Sequence, residues 1–239
     1  MPRAADMRRR PGRGVLAIKV GGSLGRGRAS SLRRVMCGLA TLARRRPVLL
    51  VPGGGVFADT VRAAMRRCGI PEAVAHRMAL RSMDQFGLQL AALSPAARTV
   101  DTEVDGLRIA RAGRLPILLV AQRLDRDRSV PRSFRFTSDV IAARVAARLG
   151  VEQLVLLKSL PDFPGPLRGR PALRRLARQG VVDPMFARCV PRGCDVWILD
   201  GRRAATLGSR LRAIDQERVM TGARRAPRSA LRRRASRRP

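Results

Sequence analysis

The chain has 239 residues, of which 45% are apolar, so it is long enough for one α/β domain and too apolar for global disorder. Its formal net charge is +33, yet six Phe, one Trp and no Tyr provide no aromatic platform for recognising RNA or single-stranded nucleic acid. Four cysteines and one histidine match no zinc-ligand spacing, so we predict reduced thiols and no metal held by side chains. No apolar stretch approaches the roughly 18 residues of a membrane span, which predicts a soluble, cytoplasmic protein.

Much of the positive charge lies at the two ends of the chain. Residues 1–14 contain five Arg and one acid, and residues 223–239 contain eight Arg and no acid. Segments of this kind cannot bury enough apolar surface to fold. We therefore predict a disordered basic lead (1–14), a folded domain (15–222) and a disordered Arg-rich tail (223–239). Non-specific nucleic-acid binding through the tail is expected as a consequence of its charge.

Between the two ends, apolar runs alternate with segments of helical periodicity. Short, continuously apolar runs predict buried strands, and the alternation predicts a mainly parallel sheet covered by helices on both faces. Strands are predicted at 15–20, 47–51, 99–100, 115–120, 153–157 and 194–199. Helices are predicted at 30–45, 56–67, 72–93, 105–112, 139–149 and 172–179, and after the last strand, whereas 122–135 and 161–171 are predicted loops. Ligands of such sheets bind beyond the carboxyl ends of the strands.

Only two of the 50 basic residues are lysine, so 50 − 2 = 48 are arginine. Lys19 and Lys158 each end a predicted strand. An ammonium is a compact charge on a flexible stem, whereas guanidinium is a wide planar group. The two lysines are therefore candidates for positions where arginine cannot substitute. The alternative, that they escaped a compositional bias by chance, stays open.

Two glycine turns follow predicted strands. Gly21, Gly22 and Ser23 come after Lys19, and Gly53, Gly54 and Gly55 come after the second strand and open a helix. Bare amides at a helix N-terminus favour anions. Neither turn matches a Walker A or a dinucleotide-binding motif. Two anion-binding turns with a lysine between them suit in-line phosphoryl transfer, in which one turn holds the donor and the other the acceptor.

Three motifs resemble the signatures of the amino acid kinase family. They are Lys19-Val20-Gly21-Gly22-Ser23, Val51-Pro52-Gly53-Gly54-Gly55 and Thr137-Ser138-Asp139-Val140-Ile141-Ala142-Ala143, in that order. The resemblance implies a three-layer αβα sandwich around a mainly parallel sheet of about eight strands. It also implies an ATP- and Mg²⁺-dependent kinase that acts on a small molecule and forms a homo-oligomer.

Residues 55–59 and the helix 75–87 resemble one branch of that family more narrowly. This branch phosphorylates [5-(aminomethyl)furan-3-yl]methyl phosphate in the synthesis of methanofuran-type cofactors. Another acceptor (a carboxylate, UMP or isopentenyl phosphate) stays open, as does a nucleotide- or polyanion-binding protein without turnover. The basic tail and three departures from the family pattern motivate the last alternative. Residues 180–185 lack a lysine found in related kinases, the usual Asp-Gly after the Lys158 strand has become Ser159-Leu160-Pro161-Asp162, and the expected Gly-Thr near the C-terminus is missing.

The resemblance also implies roles for individual residues. Lys19 would contact the transferred phosphoryl group, and Asp139 would orient Lys19. The nucleotide would be held by Gly21, Gly22, Ser23, Lys158 and Asp183, and the acceptor phosphate by Gly53, Gly54 and Gly55. From charge alone, Asp59 or Asp84 is expected to pair with an ammonium on the acceptor, although each is equally typical of an ordinary surface acid. Phe57, Met83 and Phe86 are expected to line its ring, whereas His76 is more typical of a packed helix residue.

Overall fold

A computed structural model describes residues 14–225. The predictions made for most of the basic lead, and for the tail beyond Arg225, therefore concern residues outside the described part of the chain.

The sheet is parallel throughout, as predicted. Its strands are β1 (Leu16–Val20), β2 (Val48–Pro52), β3 (Ala97–Val100), β4 (Leu115–Leu118), β5 (Gln153–Lys158) and β6 (Asp195–Asp200). Their order across the sheet is β3-β4-β2-β1-β5-β6, and each neighbouring pair is parallel. Strand β1 therefore lies at the centre between β2 and β5, and the segments that follow these three strands meet at one edge, here called the carboxyl edge.

Helices cover both faces of the sheet, which confirms the predicted three layers. They are α1 (Ala29–Ala43), α2 (Gly55–Cys68), α3 (Glu72–Ala92), α4 (Glu103–Arg111), α5 (Ala121–Arg126), α6 (Ser138–Leu149), α7 (Gly169–Arg178), α8 (Phe186–Cys189) and α9 (Ala204–Arg225). One apolar core packs α6, α7 and α8 against one face, and a second packs α1 and α9 against the other. Alternate side chains of β1 enter the two cores, since Ala17 belongs to the first and Ile18 to the second.

The expected number of strands was wrong for the described residues, which form six strands and not about eight. Residues 161–167 follow β5 but make only one isolated antiparallel bridge, between Leu167 and Val196. Pro161, Pro164 and Pro166 lack the amide hydrogen that a longer ladder would need. After β6 the chain continues as helix α9, which packs against α1 instead of extending the sheet.

The prediction of a polar loop at 122–135 was wrong for its first residues, which belong to helix α5. Leu124 of this short helix is buried. The carboxylate of Asp84 accepts hydrogen bonds from the amides of Val120 (2.7 Å) and Ala121 (3.2 Å), at the start of the helix. These tertiary contacts stabilise a helix that its Arg- and Asp-rich sequence does not predict.

Within residues 14–225, no helix combines the length and apolarity that crossing a membrane requires.

Candidate active site

The two glycine turns are attached to the sheet by hydrogen bonds that continue its ladders. The amide of Gly21 donates to the carbonyl oxygen of Leu157 (2.8 Å), and the amide of Gly53 donates to that of Val20 (2.8 Å). These two amides therefore fix the turns in place. The amides that come next open a short 3-10 turn (Gly22–Arg26) and helix α2, and the first amides of a helix have no partner within it.

The two turns touch backbone to backbone. A Cβ atom added at Gly22 would lie 2.4 Å from the amide nitrogen of Gly55, and one added at Gly53 would lie 2.5 Å from the amide nitrogen of Gly22. Gly55 has a φ of +58°, which glycine adopts without strain. Gly22 and Gly53 are thus required by the close approach of the two backbones, and Gly55 by its backbone conformation. The two candidate anion-binding turns face each other at the carboxyl edge, as the sequence predicts.

We expect Gly22→Ala to lower the free energy of unfolding by about 1–3 kcal/mol, because its methyl group must push the two turns apart. Gly38→Ala is the matched control, since a Cβ at Gly38 in helix α1 meets no atom within 4 Å. That change should stabilise the protein by up to about 1 kcal/mol through helix propensity. Urea denaturation of both variants measures the difference, and equal stability would show that the turns do not pack as described.

Both lysines of the chain meet at one carboxylate. The Nζ atom of Lys19 lies 2.8 Å from Oδ1 of Asp139, and that of Lys158 lies 2.5 Å from Oδ2. The side chains are buried, with exposed fractions of 7% for Lys19, 15% for Lys158 and 6% for Asp139. Two ammonium groups are thereby held side by side next to the glycine turns, where they would meet phosphate oxygens.

Asp139 lies in the first turn of α6, beneath the carboxyl edge. Burial acts to raise the pKa of Asp139, but the charges of Lys19 and Lys158 outweigh it and hold that pKa below its usual range. The carboxylate therefore stays ionised. The N-cap residue of α6 is Thr137, and no side chain caps the helix. The reason is that the Asp139 carboxylate is engaged by the lysines and the Thr137 hydroxyl donates to Asp183.

Asp183 lies in the segment between α7 and α8, close to the lysine pair. It accepts the Thr137 hydroxyl hydrogen, and burial raises the pKa of this carboxyl. In the same segment, the carbonyl oxygen of Val181 accepts a hydrogen bond from the Nζ atom of Lys158. The segment that lacks the expected lysine is thus supplied with an ammonium group from strand β5.

A pocket opens beside the second glycine turn. The residues that line it include Gly54, Ser138, His76, Met83, Phe134 and Phe136. The His76 ring makes edge-to-face contacts with both phenylalanines, with centroid distances of 6.4 Å to Phe134 and 6.3 Å to Phe136. We call this the ring pocket.

The two carboxylates expected to hold an ammonium have other partners. Asp59 is ion-paired with Arg26 (2.7 Å) and Arg62 (3.2 Å), and Asp84 accepts the amides at the start of α5. Neither lines the ring pocket. The structure therefore brings Lys19, Lys158, Asp139, Asp183 and the glycine turns together, but leaves Asp59 and Asp84 outside the group.

The predicted apolar wall is present in part. Met83 lines the ring pocket, but Phe86 is fully buried against the glycine turns and Phe57 packs on the core beneath α2. Sequence reasoning missed Phe134 and Phe136. A signal was present, since two of the six phenylalanines of the chain lie within three residues in an otherwise arginine-rich loop, just before Thr137.

Residues 14–225 contain no group of three or more His, Cys, Asp or Glu side chains that could hold a metal ion. A divalent cation at this site would therefore depend on oxygens of the bound phosphates for most of its ligands.

Comparisons with known proteins show the family of the chain and relatives with the same fold. The sequence model described as "Amino acid kinase family" matches residues 14–162. The chain is 26% identical over 154 residues to [5-(aminomethyl)furan-3-yl]methyl phosphate kinase from Methanocaldococcus jannaschii, a match that covers 62% of this chain and 69% of that protein.

Two solved structures share the fold. The uridylate kinase from Archaeoglobus fulgidus has a TM-score of 0.60 at 15% identity, covering 77% of this chain and 90% of that one. The UMP kinase from Bacillus anthracis has a TM-score of 0.57 at 13% identity, covering 79% and 87%.

Proposed function

The chain belongs to the amino acid kinase family, and on that premise we propose that it transfers the γ-phosphoryl group of ATP to a small phosphate monoester, giving a diphosphate. We further propose that the monoester is [5-(aminomethyl)furan-3-yl]methyl phosphate, in the synthesis of a methanofuran-type cofactor. The observation that carries the proposal is the meeting of Lys19 and Lys158 on Asp139, beside two facing glycine turns.

The geometry supports in-line transfer between the two turns. The nucleotide phosphates would lie on residues 21–23, with Lys158 and Asp183 on that side, and the acceptor phosphate would lie on the N-terminus of α2 at residues 53–55. Lys19, between the turns, would contact the oxygens of the transferred group. The γ-phosphorus loses its bond to the β–γ bridging oxygen and gains a bond to an acceptor phosphate oxygen.

No general base is needed, since an ionised phosphate acceptor carries no proton on the attacking oxygen. The role of Asp139 would be to hold both ammonium groups in position. Mg²⁺ supplies charge neutralisation and orientation of the nucleotide phosphates when it is bound. The site fits this arrangement, because its glycine amides and ammonium groups would contact the phosphates. Residues 14–225 contain no group of three or more His, Cys, Asp or Glu side chains that could hold the ion instead.

The furan assignment is supported by the similarity to the M. jannaschii kinase, which is 26% identical over 154 residues. The small, ring-lined pocket beside Gly54 agrees with it. UMP is the alternative acceptor that an observation favours, because the similar solved structures are uridylate kinases. That similarity is one of fold and does not identify the substrate.

A screen of acceptors tests the proposal. Purified protein with ATP and Mg²⁺ is assayed for ADP release with aminomethylfuran phosphate, UMP, isopentenyl phosphate and acetylglutamate. We expect the highest kcat/KM for the furan phosphate. A higher value for UMP would move the assignment to nucleotide monophosphates, and turnover of none of the four would favour a binding protein.

The variants Asp59→Asn and Asp84→Asn test whether either carboxylate holds the acceptor ammonium. From the contacts described, we expect KM for aminomethylfuran phosphate to stay within threefold of wild type in both. Asp84→Asn should instead lower the free energy of unfolding by about 1 kcal/mol, since it weakens the hydrogen bonds to Val120 and Ala121. If KM for aminomethylfuran phosphate rises tenfold or more in one variant while KM for ATP is unchanged, the carboxylate changed in that variant binds the acceptor ammonium.

A further inference from the structure

The loop 127–137 forms one wall of the ring pocket and is anchored where Phe134 lies. Glu72 of α3 accepts hydrogen bonds from the Ser133 hydroxyl (2.7 Å) and from the Phe134 amide (2.9 Å). The Arg62 guanidinium lies over the Phe134 ring, 5.6 Å from its centre. The position of Phe134 is thus fixed by a hydrogen bond to its backbone amide and by the guanidinium that lies over its ring. A half-buried aromatic side chain fixed in this way limits the space available beside Gly54.

Phe136 also lies against a guanidinium group, and its carbonyl oxygen determines which ring nitrogen of His76 carries the hydrogen. The Arg144 guanidinium lies 5.4 Å from the centre of the Phe136 ring. The Nε2 atom of His76 lies 3.3 Å from the carbonyl oxygen of Phe136. Since a carbonyl oxygen only accepts, Nε2 must carry the hydrogen, and Nδ1 is left with a lone pair.

Nδ1 of His76 has no hydrogen-bond partner among residues 14–225, although only 2% of this residue is exposed. Burial lowers the pKa of His76, so the ring stays uncharged at neutral pH and keeps that lone pair. A buried acceptor without a partner destabilises a protein unless a ligand or water satisfies it. Within the described residues that line the ring pocket there is no carboxylate. An acceptor molecule with a hydrogen-bond donor would satisfy His76.

We propose that the ring pocket determines which acceptor is phosphorylated, with Phe134 limiting acceptor size and Nδ1 of His76 accepting a hydrogen bond from the acceptor's amino group. The inference rests on the kinase function proposed above and assigns the specificity of that site. It predicts a preference for a phosphate monoester that carries one small flat ring and an amine, over larger or amine-free monoesters.

The role of His76 is tested with two acceptors, aminomethylfuran phosphate and the analogue in which a methyl group replaces the aminomethyl group. His76→Gln retains an amide donor for the Phe136 carbonyl but loses the Nδ1 acceptor. We expect KM for the amine to rise about tenfold and KM for the methyl analogue to change less than threefold. His76→Asn places an oxygen near the Nδ1 position, so it should restore part of the preference for the amine. A merely structural histidine would change both acceptors equally.

Phe134→Ala tests the size limit. We expect the ratio of kcat/KM for aminomethylfuran phosphate to that for UMP to fall about tenfold, while KM for ATP is unchanged. Phe163→Ala is the matched control, because Phe163 is also half-buried on a loop but does not line the ring pocket. Thermal melts establish that each variant is folded.

The outcomes separate the two proposals. If the wild type phosphorylates the furan phosphate and both ring-pocket variants keep its selectivity, the specificity assignment is wrong and the kinase assignment stands. If the wild type neither phosphorylates the furan phosphate nor binds it in calorimetry, the furan assignment is wrong and the specificity assignment fails with it.

Discussion

Lys19→Arg is expected to lower kcat by about a hundredfold or more, with a much smaller change in the affinity for ATP. The variant keeps the positive charge, so the effect is one of shape. Lys19 is 6% exposed and its Nζ atom is ion-paired with Asp139, so a wide planar guanidinium cannot take its place without displacing the neighbouring atoms. A contact made mainly in the transition state lowers kcat when it is lost, and substrate binding changes less. Single-turnover measurements with saturating ATP test this directly.

The matched control is Arg33→Lys, the reverse exchange at an exposed position on α1. It should leave kcat within about threefold of wild type, as surface substitutions usually have small effects. If Lys19→Arg also retains kcat within threefold while its fold is intact, Lys19 has no part in the transfer step.

Asp139→Asn is expected to reduce both stability and activity. It removes the single negative charge between two buried ammonium groups and leaves them to repel each other. Breaking a buried ion pair by removing one partner typically lowers the free energy of unfolding by about 3–5 kcal/mol. Because Lys19 is then no longer held in position, kcat should fall by about a hundredfold. Asp101→Asn, at an exposed carboxylate after β3, should change neither quantity and is the control.

The loss of stability caused by Asp139→Asn should depend on pH. Because the folded-state pKa of Asp139 is lowered from 3.8, its stabilising contribution is complete above that value and is lost as the pH falls through the lower folded-state pKa. The stability difference between wild type and Asp139→Asn should therefore be largest near neutral pH and shrink on acidification below about pH 4. A difference that grows on acidification would mean that the lysines do not stabilise the ionised carboxylate.

The sheet and the approach of the two turns could be predicted because their causes are local. Continuous apolar runs in β1, β2 and β5 specify strands buried on both faces, and such strands are parallel neighbours. The carboxyl ends of parallel strands share one edge, so the glycine turns had to come together there. The scarcity of lysine identified Lys19 and Lys158, and the structure places both on Asp139.

Other features depend on contacts between distant segments, which the sequence does not show. Helix α5 begins where Asp84, 36 residues earlier, accepts the amide of Val120. The partners of Asp59 could not be foreseen for a similar reason, since Arg26 lies 33 residues away. The ring pocket combines α3 with the loop before α6, and only folding brings His76 beside Phe136. In each case tertiary packing decided the partner of a residue, and the local sequence pattern did not show it.

This site is proposed to transfer a phosphoryl group from ATP to a phosphate monoester. Phosphorus-31 NMR of wild type with ATP, Mg²⁺ and aminomethylfuran phosphate tests it most directly. We expect the monoester resonance to be replaced by the two coupled resonances of a diphosphate as ADP accumulates. Lys19→Arg should form this product at least about a hundredfold more slowly. An unchanged monoester resonance, in a sample that binds ATP and retains its fold, would contradict the claim.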